Sequence, residues 1–92
     1  MMNAVITDTF FEIDYFGITC SLTFYDGEKR YKSKALYYGE EGLNMLFKML
    51  TTIGVSDIKE LKGKPCRISL NEDNLIKHIH HFIEDKGIDI IK

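Results

Sequence analysis

Three histidines, His78, His80 and His81, form the densest group of side chains able to do chemistry. On a strand, His78 and His80 share a face and His81 points away. On a helix, His78 and His81 stand three apart, and no pair has the four-residue spacing of the helical zinc motif. No cysteine lies nearby, and Glu84 and Asp85 come only at the segment's end. Zinc takes four ligands in structural sites, or three and a water in catalytic ones. Two local imidazoles fall short, so the group reads as a solvated face, and neither a metal nor another cofactor is expected. Cys20 and Cys66 match no metal or redox spacing and occupy apolar strand positions, which suits reduced, packed thiols. Lys62-Gly63-Lys64 lacks the preceding glycine and the following Ser or Thr of a phosphate loop. No nucleophile, base and oxyanion donor can be assembled, so no catalytic residue is assigned and the chain does not read as an enzyme.

The basic run Lys29-Arg30-Tyr31-Lys32-Ser33-Lys34 is a better candidate surface. Four cations interleaved with an aromatic could grip an acidic protein patch or phosphate. Lysines also keep an edge strand from stray pairing, and that plainer role fits the same residues. Tyrosine and arginine are enriched at the centres of protein interfaces. The chain has five tyrosines and no tryptophan, and Tyr31, Tyr37 and Tyr38 lie on a weakly patterned strand. Lys29, Arg30, Tyr31, Lys32, Lys34 and Tyr37 are therefore the expected partner-binding residues. The occupant is another protein, or a second copy pairing across a two-fold axis into a homodimer.

These residues need a scaffold, and the length allows one. A chain of 92 residues with 45% hydrophobic and 28% charged content has the size and composition of one globular domain, residues 1–92. A net charge of −2 argues against direct nucleic-acid binding. No apolar run reaches bilayer-spanning length, so no membrane association is expected, and the first residues lack a secretion-signal pattern. The resulting expectation is a cytoplasmic location.

Ala4 to Ile13 is strand-like, with its alternation slipping at Phe10-Phe11, as either a bulge or a strand buried on both faces there would make it. Asp14-Tyr15-Phe16-Gly17 reads as a turn. Ile18 to Tyr25 alternates cleanly, Ile18, Cys20, Leu22 and Phe24 facing one way, and Asp26-Gly27 signals a hairpin into Tyr31 to Tyr38. Leu43, Leu46, Phe47, Leu50 and Ile53 then make the apolar stripe of a helix that Gly54 stops, with Met45 and Met49 flanking it. A short second helical turn follows, with Ser56 as its cap and Ile58 and Leu61 inward. Cys66, Ile68 and Leu70 mark a fourth strand. The last segment fits two forms. Leu75, Ile76, Ile79, Phe82 and Ile83 match a helical stripe, and they can also make a strand after the Asn71–Asn74 turn.

The run GVSDIKELKGKPCRISL, residues 54–70, resembles a motif of small uncharacterised phage and prophage proteins. Those proteins read Gly-Val, a short acidic turn, Leu-Lys-Gly-Lys and a strand. They close on a strand-like segment that Ile79, His81, Ile83, Asp85 and Lys86 match here. Specific matches fall at residues 54–65 and 79–86. This chain lacks their Gly-rich stretch before the third strand and has Gly87-Ile88 where an aromatic pair is common. The resemblance implies a strand rather than a helix over residues 72–86. The expected fold is then α+β, an antiparallel sheet of about five strands (β-β-β-α-β-β) on one main helix, the alternative being β-β-β-α-β-α. It also implies a mobile-element setting inside a bacterial host. The expected function is a non-enzymatic, anti-CRISPR-like inhibitor that binds a host protein such as a CRISPR effector or another defence protein. The alternative is a phage accessory protein that binds a small ligand or nucleotide, and the identity of any partner is not written in the residues.

Overall fold

A computed structural model of the chain describes residues 1–90, and for residues 34–37 the backbone alone. The elements run β1 (Met2–Ile13), β2 (Gly17–Tyr25), β3 (Arg30–Tyr38), α1 (Gly39–Ile53), a 3-10 turn (Ile58–Glu60), β4 (Pro65–Leu70), β5 (Ile76–His81) and β6 (Gly87–Asp89). The strands form one antiparallel sheet in the order β3-β2-β1-β4-β5-β6. The α+β class and the single helix agree with the sequence. The sheet has six strands where about five were expected, because Gly87–Asp89 adds a short edge beside β5. Residues 76–81 are strand, so the helical alternative fails despite its good periodicity. Ile79 opposes Ile68 on β4 and Ile88 on β6, and burial between two strands outweighs the local pattern.

Alternation puts Ile18, Cys20, Leu22 and Phe24 of β2 on the buried face, joined by Ala4 and Ile6 from β1 and Cys66 and Ile68 from β4. The slip in β1 lies between Ile6 and Asp8, earlier than Phe10-Phe11, and after it Thr9 and Phe11 pair with Leu22 and Cys20 on the same face. Packing removes the two thiols from water and pushes each up to about 12.

The helix covers this face, but turned from the expected orientation. Its buried residues are Gly42, Met49, Thr52 and Ile53, with Met45, Leu46 and Leu50 partly covered. Leu43 and Phe47 are 47% and 60% exposed, which corrects the stripe drawn from Leu43, Leu46, Phe47, Leu50 and Ile53. At about 100° per residue, the buried face is rotated by roughly a quarter-turn. Gly42 is buried on this side, where Met49 joins the core and Met45 packs against it. Gly54 ends the helix at φ 89°, its N–H donating to Leu50 O at 2.8 Å. The 3-10 turn is capped by Asp57 rather than Ser56. The Asp57 carboxylate accepts from Lys59 N–H at 2.9 Å, and the Ser56 hydroxyl donates to Glu60 instead. Leu61 is fully buried, as its spacing predicts.

Candidate interaction surface

β3 forms one edge of the sheet, and among the described strands it pairs only with β2. The partner residues expected from the sequence lie along it and in the turn before it. That turn is built by Asp26, whose Oδ1 accepts from the N–H groups of Glu28 at 2.8 Å and Lys29 at 2.7 Å. These bonds, together with the Tyr31 hydroxyl, hold the Asp26 carboxyl below the usual carboxylate range. Lys29 and Arg30 are exposed, and the Arg30 guanidinium lies 5.7 Å above the Tyr25 ring. Lys32 is exposed on the outer face beside Thr23. Tyr31 differs from its neighbours: it is half-buried against the core opposite Phe24, and only its hydroxyl reaches out, 3.3 Å from Asp26. The side chains of Lys34 and Tyr37 lie outside the described residues, although their backbone continues the ladder opposite Ser21 and Ile18. The structure therefore brings Lys29, Arg30 and Lys32 together at one end of the sheet and turns Tyr31 inward.

The histidines occupy the other half of the sheet. His78 and His80 share the outer face of β5, their rings 6.0 Å apart, while His81 opposes Cys66. His78 Nδ1 lies 2.7 Å from Asp89 on β6. His80 is only 6% exposed and uses both ring nitrogens. Nε2 lies 3.2 Å from Asp85, while Nδ1 lies 2.9 Å from Arg67 Nη2 and 2.7 Å from the His81 carbonyl. Arg67, which can only donate, gives its Nη2–H to Nδ1. His81 Nδ1 accepts from the N–H groups of Ile83 at 3.0 Å and Glu84 at 2.8 Å, capping the turn into β6. Gly87 completes the arrangement. A Cβ there would stand 2.4 Å from His78 Nε2 and 3.0 Å from His80 Cδ2, so the two imidazoles lie where β6 has no side chain. Among the described residues, no group of three or more His, Cys, Asp or Glu is placed to hold a metal ion.

A third feature escaped the sequence reading. The Asp14–Gly17 turn carries Tyr15 at 96% and Phe16 at 67% exposure, with Ile13 at 74% beside them. Two adjacent aromatics between a turn-opening Asp and a Gly were the available signal, since a tight turn leaves no room to bury both rings.

No protein-family model, curated protein or solved structure matches the chain. Among the described residues, no helix is long and apolar enough to cross a membrane.

Proposed function

We propose that the chain is a non-enzymatic protein-interaction module of mobile-element origin that inhibits a bacterial host defence protein, such as a CRISPR effector, by docking on it. The observation that carries this reading is the edge position of β3, with Lys29, Arg30 and Lys32 exposed at its start. An edge strand offers unpaired backbone groups for strand addition, and its cations steer an acidic surface toward them. The mobile-element setting rests on the resemblance of residues 54–65 and 79–86. The groups that could argue for catalysis are engaged otherwise: both thiols stay protonated at neutral pH, and the imidazoles bond to Asp89, Asp85, Arg67 and the β5–β6 turn.

Reversing charge with Lys29→Glu and Lys32→Glu tests the reading while leaving the inward Tyr31 intact. The folded double variant should lose its partner in pull-downs from the bacterial host and lose protection of the phage in infection assays. Full inhibition by that variant would remove the proposal.

A further inference from the structure

The β1–β2 ribbon ends in two unlike surfaces. At one end Asp14 makes a fixed turn: its Oδ1 accepts from Phe16 N–H at 2.8 Å and Gly17 N–H at 3.1 Å, and its own N–H donates to the Gly17 carbonyl at 3.0 Å. Tyr15 and Phe16 stand on it edge to face, ring centroids 5.5 Å apart. Tyr38, 63% exposed, pairs with Gly17 beside them. The surrounding charge is negative, from Glu12, Asp14 and Glu40, and residues 8–17 and 38–44 contain no Lys or Arg. Such a tip is preorganised, so little ordering opposes its insertion into a complementary pocket.

At the opposite end, Val5 stands between Tyr25 on β2 and Pro65 on β4. With Phe82 these residues line a groove of about 390 Å³. Its lining is apolar and open, Val5, Tyr25 and Phe82 each being about two-fifths exposed. Arg30 lies over Tyr25, Lys29 is next to it in the chain and Lys64 precedes Pro65, so three cations flank the groove against the exposed Glu28 that follows Gly27. Asp26 also lines it, but its carboxylate is engaged with the Glu28 and Lys29 N–H groups and the Tyr31 hydroxyl. The nine residues of β2 separate tip and groove by about 25–30 Å at 3.3 Å per residue, so a tip cannot reach its own groove.

We infer that the Tyr15–Phe16 tip of one copy seats in the Val5–Tyr25–Pro65–Phe82 groove of a second copy, head to tail, with Glu12 and Glu40 facing Lys29 and Arg30. The contact joins different patches, so it propagates into short chains or closes as a ring instead of stopping at a two-fold dimer. Two aromatic side chains bury about 150–250 Å² each, so the contact falls below the roughly 1,200 Å² of stable interfaces. Association is therefore weak, concentration-dependent and loosened by salt.

Sedimentation velocity of the purified chain, over a wide concentration range at low and high salt, tests this. The wild type should grow past a dimer at low salt and fall back toward monomer at high salt. A tip variant (Tyr15→Ser with Phe16→Ser) and a groove variant (Val5→Glu with Arg30→Glu) should each be monomeric with unchanged circular dichroism. Mixed together, they should form a one-to-one dimer and nothing larger, because each supplies the half that the other lacks. Should the groove variant misfold, Lys29→Glu with Arg30→Glu replaces it. A wild type that stays monomeric, a species that stops at a salt-insensitive dimer, or a mixture that remains monomeric overturns the inference. So does a monomeric wild type whose tip instead carries it onto phosphatidylcholine vesicles. Only this chain is present, so failure here leaves the host-protein reading of β3 standing, and a failed pull-down leaves this inference standing.

Discussion

The two halves of the sheet use their conspicuous side chains in opposite ways. In β4, β5 and β6, the groups that look reactive are bonded to one another: His78 to Asp89, His80 to Arg67 and Asp85, and His81 to the turn it caps. In β1, β2 and β3, ordinary turn and edge residues are left facing water, among them Tyr15, Phe16, Lys29, Arg30 and Lys32. The sequence already favoured the basic run over the histidines, but it read the histidines as a solvated face, whereas His80 is buried and bonded. What separates them is whether a side chain already has a partner, since a satisfied polar group contributes to the fold and an exposed aromatic contributes nothing until something covers it.

The largest effect should be common to both halves, because each gives one thiol to the shared core. A thiol held up to about 12 in the folded chain, against an ordinary 9, keeps its proton while the unfolded chain gives one up. The stability that Cys20 and Cys66 supply is thus complete below pH 9 and drains away as pH rises toward 12. Urea midpoints measured over that window should fall for the wild type and fall less steeply for Cys20→Ala with Cys66→Ala. Equal slopes would mean that the thiols are reachable by solvent.

The histidine half should respond next. His80→Ala leaves the half-buried Arg67 without its ring acceptor and opens a gap, at a cost of about 2–3 kcal/mol. Gly87→Ala should cost about 1–3 kcal/mol by driving a methyl group into the His78 ring. Most of that loss should return in the double variant His78→Ala with Gly87→Ala, a coupling that a denaturation cycle measures directly. The smallest effect belongs to the exposed half. Tyr15→Ser with Phe16→Ser should shift stability by no more than about 0.5 kcal/mol per residue, although it removes two aromatic rings. A large loss there, or none at His80, would erase the contrast.

Much of the architecture was legible from short-range patterns. The alternation of Ile18 to Phe24, the Asp26-Gly27 hairpin and Gly54 as a helix stop each depend on neighbours close in sequence. The placing of His78 and His80 on one face followed from period two once residues 76–81 were read as strand. What stayed hidden depends on distant contacts. The helix buries Gly42, Met49, Thr52 and Ile53 against the sheet, and Leu43 and Phe47 carry no local sign of being left out. β6 has only three residues and becomes a strand because Ile88 meets Ile79. For the candidate surface, the cations of β3 were visible, whereas the inward turn of Tyr31 follows from its register opposite Phe24.

On the proposed function, binding belongs to the exposed edge and not to the histidine face. Affinity capture from the bacterial host with three tagged, folded proteins tests it most directly: wild type, Lys29→Glu with Lys32→Glu, and His78→Gln. The same host protein should be retained by wild type and by His78→Gln and lost by the charge-reversed variant. Retention by the charge-reversed variant, with loss by His78→Gln, would contradict it.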